Sequence, residues 1–301
     1  MSQKTALRRY NIIINQLRKK PSTYIDFCNQ LKQESEIDGY DYVISKRTLK
    51  RDIEDILYLY GIEIRFDFSR QVYAIRDTAD NTANLKVLEA FDIINAFHVN
   101  ADNEQYLHFD KRTPQGTQHL LPILDAIRKR KCIQILHQKF AADQPSSRLL
   151  EPLALKEFQY RWYLVANDTK DGKIKSFGLD RMIHVEMTNK KYTYPSNFDA
   201  NTFFKYSFGI VSGRKNVKPA KIVLSFSINL KPYLMTLPLH DSQKLIKETG
   251  TDFLIELELH PTQDLIREIA SYGNQVQVIK PESFRKAVFH YVRPEPVILQ
   301  P

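Results

Sequence analysis

The chain has 301 residues, which corresponds to two domains or more at the usual size of roughly 100–200 residues per domain. Hydrophobic residues make up 43% and charged residues 26%, a globular composition that argues against a disordered chain. Lys and Arg total 44 against 35 Asp and Glu, and this net charge of +9 favours polyanionic partners only weakly. The two cysteines, Cys28 and Cys132, lie far apart, which argues against a disulfide-built secreted module and against a cysteine-ligated zinc site.

The first twenty residues do not have the pattern expected of a targeting signal. They contain one short apolar run between basic residues and no small-residue cleavage site. No apolar stretch in the sequence is long enough to span a bilayer. We therefore expect a soluble, cytoplasmic protein without a membrane partner.

The basic charge is concentrated at the N-terminus. Residues 1–51 contain eleven Lys or Arg and five acidic residues, so +6 of the total +9 lies in the first sixth of the chain. Apolar residues recur there at helical spacing in three successive stretches. The stretches are Leu7, Tyr10, Ile14 and Leu17; Tyr24, Phe27, Cys28 and Leu31; and Leu49, Ile53, Ile56, Leu57 and Tyr60. Polar residues 33–41 are expected to connect the second predicted helix to the third.

A β-hairpin is predicted to follow these three helices. Ile62, Ile64 and Phe66 alternate with polar residues, as do Tyr73 and Ile75, on either side of a turn near Ser69 and Arg70. Three helices followed by a hairpin is the order of elements in a winged helix-turn-helix, so residues 1–76 are predicted to form a DNA-binding domain.

The third predicted helix has the residue types of a DNA-recognition helix. Ser45 is its expected N-cap, and the basic residues occupy its first two turns on the side opposite Leu49. Arg can pair with guanine, Thr can contact a thymine methyl group and Lys can hold phosphate. A solvated charged face on an ordinary helix is the alternative interpretation. The candidate DNA-binding residues are Ser45, Lys46, Arg47, Thr48, Lys50, Arg51 and, in the hairpin, Arg70.

The rest of the chain divides into a helical linker, a strand-rich block and a mixed block. Helices are predicted at Leu85–Phe97 and Leu120–Lys131, and an α+β module at residues 220–295. Five short strands with small turns between them suggest a compact barrel-like or sandwich domain. These strands are predicted at Cys132–His137, Leu149–Leu155, Trp162–Asn167, Ile174–Leu179 and His184–Tyr194.

Three motifs in the strand-rich block resemble the WYL domain, which is named for the Trp-Tyr-Leu triplet found here at 162–164. The motifs are Glu-Pro-Leu-Ala-Leu at 151–155, Arg-Trp-Tyr-Leu-Val-Ala at 161–166 and Ser-Phe-Gly-Leu-Asp-Arg-Met at 176–182. The last block, with Leu-Pro-Leu-His-Asp-Ser-Gln at 237–243 and Tyr-Gly at 272–273, is similar to the C-terminal extension of such proteins.

The resemblance implies a bacterial WYL-domain transcriptional regulator with an α+β multidomain architecture. An N-terminal winged helix-turn-helix would precede a central Sm-like or SH3-like β-barrel and a small C-terminal α+β domain. It also implies a homodimer that binds double-stranded operator DNA and senses a single-stranded nucleic acid or a nucleotide. The implied divisions are a DNA-binding domain at 1–76, a linker at 77–118, a WYL sensor at 119–195, a connection at 196–219 and an extension at 220–295.

Basic and aromatic residues on or beside the strands are the candidate effector-binding groups. Converging guanidinium groups would suit a phosphate, and an aromatic ring could stack on a base. Trp162 and Leu164 share one strand face and are expected in the core, which turns Tyr163 to the other face. A salt bridge with Asp180 is the alternative role for Arg181. The candidates are His137, Arg148, Lys156, Arg161, Tyr163 and Arg181.

No motif predicts an enzyme, a metal site or a bound cofactor. The sequence has no glycine-rich phosphate loop, and its eight histidines have no metal-ligand spacing. His240, Asp241 and Ser242 contain the residue types of a catalytic triad, but three consecutive residues are expected to order a turn instead. The alternative to a regulator is a non-catalytic adaptor that binds RNA or a protein through the barrel.

Overall fold

The computed structural model describes residues 3–76, 86–93, 108, 111–113, 115–140, 144–212 and 217–293. The chain forms two compact units, Met1–Asp110 and Lys111–Pro301. It is a mixed α+β protein whose N-terminal part is largely helical and whose later part is rich in β-structure. Most of the predicted linker at 77–118 lies outside the described residues, although residues 86–93 are helical as predicted.

The first unit contains the three predicted helices and the predicted hairpin. The helices are α1 (Gln3–Lys19), α2 (Tyr24–Asp38) and α3 (Lys46–Tyr60), and the hairpin pairs β1 (Ile64–Asp67) with β2 (Val72–Ile75). Thr23 and Asp26 form a capping box that starts α2. Ser45 caps α3 as predicted, because its side chain accepts a hydrogen bond from the Thr48 amide.

Two expectations for this unit are wrong. Helix α2 extends to Asp38, so the connection to α3 is shorter than residues 33–41. The polar residues continue the exposed face of α2 until Gly39, which ends the helix in the left-handed conformation and donates its amide to the Ser35 carbonyl. Leu57, predicted to belong to the apolar face of α3, is 48% exposed, whereas Leu49 and Ile56 of the same helix are fully buried.

A buried ion pair joins α1 to α3. The guanidinium group of Arg9 donates from Nε to Asp52 Oδ2 at 2.8 Å and from Nη2 to Asp52 Oδ1 at 2.9 Å. Beside it, the Tyr10 hydroxyl donates to Asp55 at 2.8 Å. These bonds fix α3 against α1 in addition to the apolar core of the unit.

The second unit begins with α4 (Leu120–Lys129) and a five-stranded antiparallel sheet. Its strands are β3 (Lys131–His137), β4 (Ser146–Phe158), β5 (Arg161–Asp168), β6 (Lys173–Gly178) and β7 (Met182–Lys191). Their order is β6-β5-β4-β3-β7. As predicted, Leu164 is buried in the core against which Trp162 packs.

The five-stranded sheet is strongly curved, but the described strands do not confirm the expected Sm-like or SH3-like barrel. Strands β6 and β7 are the two edges and do not pair with each other in the described part of the chain. Only the 3-10 turn Leu179–Arg181 connects them, and four chain steps span at most about 14 Å. The edges of a flat five-stranded sheet would lie about 19 Å apart, so the sheet curls and brings its edges close at this turn.

The last part of the second unit is a four-stranded antiparallel sheet with helices. The strands, in the order β11-β8-β10-β9, are β8 (Ala220–Ser227), β9 (Lys244–Glu248), β10 (Asp252–Leu259) and β11 (Val276–Lys280). The helices are α5 (Ala200–Phe204), α6 (Lys231–Thr236), α7 (Gln263–Ser271) and α8 (Glu282–Val292). The sequence did not predict β9, because all five of its residues are exposed and carry no buried-face pattern.

Candidate nucleic-acid interface and ligand cleft

The first half of α3 presents basic side chains to solvent. Arg47, Lys50 and Arg51 are exposed, while Leu49 and Asp52 on the other side of the helix are buried. Within the described part of the chain, these three basic side chains form no ion pair and no hydrogen bond. Lys46 lies over the ring of Tyr24, with its Nζ 5.6 Å from the ring centroid.

Most other arginines of this unit are neutralised. They pair with acidic side chains, in the pairs Arg8–Glu34, Arg9–Asp52, Arg18–Asp92, Arg65–Glu63 and Arg76–Glu63. Arg70 in the hairpin turn is exposed and, like the arginines of α3, forms no ion pair among the described residues. The described arginines of this unit that lack an ion pair are therefore those that the sequence predicted to contact DNA.

A short segment, 22–24, links the hairpin to the start of α3. Ser22 and Tyr73 exchange backbone hydrogen bonds of 3.0 and 2.8 Å, which attaches the segment to β2. The Tyr24 hydroxyl donates to the Ile44 carbonyl at 2.7 Å, just before α3 begins. The hairpin, the N-terminus of α2 and the basic half of α3 are thus held in one fixed arrangement.

A cleft of about 480 Å³ lies in the second unit. Three of its lining residues, Arg161, Tyr163 and Arg181, were predicted to bind an effector. The seven others come from loops, strand ends and α7: Phe140, Phe158, Gln159, Asp180, Ile210, Asp264 and Arg267. The cleft is therefore built from the curled sheet, the connection that follows it and the last domain.

The charges in the cleft are unevenly compensated. Arg161 donates to Asp180 Oδ2, and the Asp264 carboxylate accepts the backbone amides of Ile210 at 3.0 Å and Val211 at 3.3 Å. Arg181 has only a distant contact to Asp180, 3.9 Å from Nε to Oδ1, so the predicted alternative of an Asp180–Arg181 salt bridge is a weak one. Arg267 is exposed and has no ion pair among the residues that the structure describes. Arg181 and Arg267 are the two cations available to a ligand.

Aromatic rings accompany these cations. The Arg181 guanidinium carbon lies 5.0 Å from the centroid of the exposed Phe140 ring. Tyr163 is partly buried in the wall of the cleft, and this burial raises the pKa of its hydroxyl, which is therefore protonated at neutral pH. The cleft thus offers guanidinium groups for an anion and ring faces for a planar group.

The other three predicted effector residues lie outside the cleft lining. Arg148 pairs with the buried Asp168 at 3.1 Å. Lys156 lies over the Phe204 ring, with its Nζ 4.1 Å from the centroid, and burial lowers its pKa. Their role in binding stays a prediction that no contact in the structure tests.

His137 is also outside the lining but electrostatically close to it. The side chain is buried, its ring is perpendicular to that of Phe177, and its Nε2 has no hydrogen-bond partner. Burial lowers its pKa, and the charges of Arg181 and Arg148 lower it further. The imidazole is therefore neutral at neutral pH.

The cleft residues that the last domain contributes were not predicted from the sequence. Asp264 and Arg267 are more than eighty positions from Arg181, and only the folded chain brings them together. Their spacing of three along α7 places both on one helix face, a signal too common to have indicated a site. Phe140 lies in a loop and gave no periodic pattern.

The candidate triad forms a turn. His240 Nδ1 accepts the Ser242 amide at 3.1 Å and lies 2.9 Å from Ser242 Oγ. The Ser242 hydroxyl also accepts the Glu258 amide at 3.0 Å, which ties the turn to β10. Burial lowers the pKa of His240.

Among the described residues, no three His, Cys, Asp or Glu side chains are grouped as metal ligands. None of the described helices has the length and apolar character needed to cross a membrane.

Two family models match the second unit. The WYL domain model matches residues 118–187 and the WCX domain model matches residues 218–293. The first contains β3 to β6 and the start of β7, and the second contains the four-stranded sheet with α6 to α8. The cleft lies between these two domains and the connection that joins them.

Comparison with solved structures finds similarity at low identity. The proteasome accessory factor B/C (PafBC) of Arthrobacter aurescens is 17% identical, with a TM-score of 0.35 over 94% of this chain and 46% of that one. The chain thus spans less than half of that protein. A CRISPR Cas-related protein is 11% identical, with a TM-score of 0.40 over 85% of this chain and 74% of that one. No curated protein sequence matches the chain. On these two matches, the chain contains a WYL domain at residues 118–187 and a WCX domain at residues 218–293.

Proposed function

We propose that the protein is a sequence-specific, DNA-binding transcriptional regulator. In this proposal the first unit is a winged helix-turn-helix, and the WYL domain is a sensor with a barrel-like curled sheet. The observation that carries it is the basic half of α3, where Arg47, Lys50 and Arg51 are exposed without acidic partners while neighbouring arginines are paired.

The chemistry of α3 suits the major groove of double-stranded DNA. A recognition helix enters the groove with its N-terminal residues at the base edges, and Arg47 and Arg51 lie one turn apart in that half. Each guanidinium can bind guanine O6 and N7, while Lys50 can hold phosphate. A homodimer would place two such helices on the half-sites of an operator.

The cleft between the WYL and WCX domains would hold the effector, a single-stranded nucleic acid or a nucleotide. Arg181 and Arg267 are available for phosphate, and Phe140 and Tyr163 offer ring faces for a base. The proposed regulator acts in the cytoplasm and catalyses no reaction.

DNA binding is tested by in vitro selection followed by fluorescence anisotropy. The full-length chain is used to enrich duplexes from a random pool, and the enriched duplex is titrated beside a scrambled one at two salt concentrations. We expect the preference for the enriched duplex to persist at the higher salt, because base contacts depend less on salt than phosphate contacts do. The variant Arg47→Ala/Arg51→Ala should lose this preference.

A charge-matched control separates recognition from net charge. The variant Lys32→Ala/Arg128→Ala also removes two exposed positive charges, but from α2 and α4, and should keep the preference. Equal affinity of the wild-type chain for both duplexes, collapsing with salt, would contradict the proposal and favour the RNA- or protein-binding adaptor.

The effector site is tested by adding short single-stranded oligonucleotides and nucleotides to the chain with its enriched duplex. Arg181→Ala/Arg267→Ala should remove any response of DNA affinity to these probes while leaving DNA affinity without probe unchanged. Arg128→Ala/Lys191→Ala, which removes two exposed positive charges outside the cleft lining, is the control and should respond as the wild type does. A response that survives in the cleft variant would show that the effector binds elsewhere.

A further inference from the structure

The turn of the hairpin in the first unit exposes a large aromatic side chain. Phe68 follows β1 directly and is 79% exposed. Single exposed apolar residues are common and need no explanation by themselves. What distinguishes Phe68 is how firmly the surrounding turn holds it and what lies beside it.

Side-chain hydrogen bonds within the turn make it rigid. Asp67 Oδ1 accepts the amides of Ser69 at 2.9 Å and Arg70 at 3.2 Å, and also the Ser69 hydroxyl at 2.6 Å. Gln71 donates its side-chain amide to the Phe68 carbonyl at 2.8 Å. The Asp67 carboxylate is thereby occupied, and these bonds lower its pKa. The backbone of Phe68 is therefore held on both sides.

A series of ring contacts supports the side chain from below. The Phe68 ring meets Phe66 at 5.0 Å between centroids in an edge-to-face geometry, Phe66 meets Tyr73 at 4.7 Å, and Tyr73 meets the buried Phe27 at 5.8 Å. Because Phe27 belongs to the core, this series of contacts connects the Phe68 ring to the packed interior of the unit. The turn and the ring contacts therefore hold the exposed Phe68 side chain in one position.

The surroundings of Phe68 suit a polyanion. Arg70, two residues along the turn, is exposed and forms no ion pair among the described residues, and its charge contributes to the lowered pKa of Asp67. Backbone bonds from β2 to Ser22, and the Tyr24 bond to Ile44, fix the hairpin relative to the basic half of α3. A duplex bound by α3 would therefore meet the hairpin at a defined place.

We propose that Phe68 is a wedge that inserts between two base pairs from the minor groove, while Arg70 contacts the phosphates beside it. Apolar side chains used in this way unstack a base step and kink the duplex, and pyrimidine–purine steps yield most easily. The protein would thereby read a deformable TA or CA step without hydrogen bonds to its bases. This inference rests on the proposed DNA-binding function.

The test uses the duplex enriched by the full-length wild-type chain, with a donor and an acceptor dye at its two ends and, in a second duplex, 2-aminopurine at successive positions. Wild-type chain should raise energy transfer, because the kink brings the ends together, and should raise 2-aminopurine fluorescence at one step. Phe68→Ala should abolish both signals and weaken binding roughly tenfold. Phe68→Leu should keep the kink, since leucine also serves as a wedge.

Tyr58→Ala is the matched control. Tyr58 is an aromatic residue of α3 that is 88% exposed, so its loss should change neither signal. Thermal unfolding of Phe68→Ala should differ from that of wild type only slightly, because the ring is largely in water and the variant loses the contact with Phe66, which contributes about 0.5–1.5 kcal/mol. Wild-type bending that persists in Phe68→Ala overturns the wedge and leaves DNA binding intact. Failure of the wild-type chain to enrich any duplex would overturn the proposed function as well.

Discussion

Arg9 and Asp52 form a bidentate ion pair in which both side chains are almost completely buried, 1% and 0% exposed. The Asp52 hydrogen bond is the main cause of the raised pKa of Arg9, so the guanidinium group keeps its positive charge. Because Asp52 lies on the buried side of α3, the pair determines how the exposed basic side of the helix is oriented.

Removing one partner of this pair should be strongly destabilising. Arg9→Met leaves the Asp52 carboxylate buried without its counter-ion, which costs about 3–5 kcal/mol of unfolding free energy. The measurement is urea unfolding followed by circular dichroism of the helices. Trp162, the single tryptophan, lies in the second unit, and its fluorescence should be unchanged. The double variant Arg9→Met/Asp52→Leu should recover most of the loss, and a double variant as unstable as the single one would contradict this account.

Lys50 and Arg47 should affect DNA binding in different ways. Lys50→Ala should weaken binding to all duplexes alike and reduce the slope of log affinity against log salt by about 1, as expected for one lost phosphate contact. Arg47→Ala should lower affinity for the enriched duplex by about 1–3 kcal/mol and relax the preference at one base pair. Lys32→Ala on α2 is the control, and a slope change as large there would show that only net charge matters.

A side chain at position 178 would collide with the charged residues in the wall of the cleft, so glycine is needed there. A Cβ atom at this position would lie 2.4 Å from Asp180 Oδ1 and 3.0 Å from Arg181 Nε. Gly178→Ala should therefore displace both side chains and weaken binding of the oligonucleotide probe about tenfold or more, with a loss of unfolding free energy of about 1–3 kcal/mol. Gly250→Ala, where the added atom meets nothing within 4 Å, is the control for probe binding. Unchanged probe affinity in Gly178→Ala would remove Asp180 and Arg181 from the site.

Acid should destabilise the second unit through His137. Its pKa is lowered from 6.5 in the folded protein, so below about pH 6.5 the unfolded chain binds more protons than the folded one. The stability present above pH 6.5 is therefore lost as the pH falls through the folded pKa, by at most about 1.4 kcal/mol per pH unit for one group. The measurement is urea unfolding followed by Trp162 fluorescence between pH 7.5 and 5.5. The free energy of unfolding of His137→Gln should fall less steeply with decreasing pH than that of the wild type.

His240 provides the comparison for this pH dependence. Burial lowers its pKa as well, so His240→Gln should remove a separate part of the slope. In the double variant His137→Gln/His240→Gln, the free energy of unfolding should then depend less on pH than in either single variant. A slope equal to that of the wild type in His137→Gln would mean that His137 is protonated alike in both states.

The sequence predicted elements wherever one face of a helix or strand is buried. Strand β5 is an example: Leu164 and Trp162 belong to the core side, and Tyr163 reaches the cleft as expected. Helix α2 continues past its predicted end because Ile37, the apolar residue of its last turn, lies off the buried face and is 71% exposed. Leu57 is exposed because its place on α3 lies at the border of the apolar face. Both errors concern boundaries that tertiary packing decides.

The candidate site could be predicted only where its residues belong to the strand pattern. Arg161, Tyr163 and Arg181 were found because they flank a recognisable motif, whereas Arg267 reaches the cleft through the packing of a separate domain. Arg148 looked equally suitable in sequence. Its partner Asp168 lies twenty positions away, at the far end of the next strand, and the sequence alone does not show that pairing.

Strand β9 has a consequence for assembly. It is an edge of its sheet, its five residues are exposed, and two of them are Lys244 and Lys247. The register with β10 also shifts between Leu254 and Ile255, which interrupts the regular ladder beside it. Lysines and irregular pairing are typical of edges that resist the addition of a further strand. The edge of β9 therefore opposes the addition of a strand from a second copy of the chain, and the proposed homodimer would use another surface.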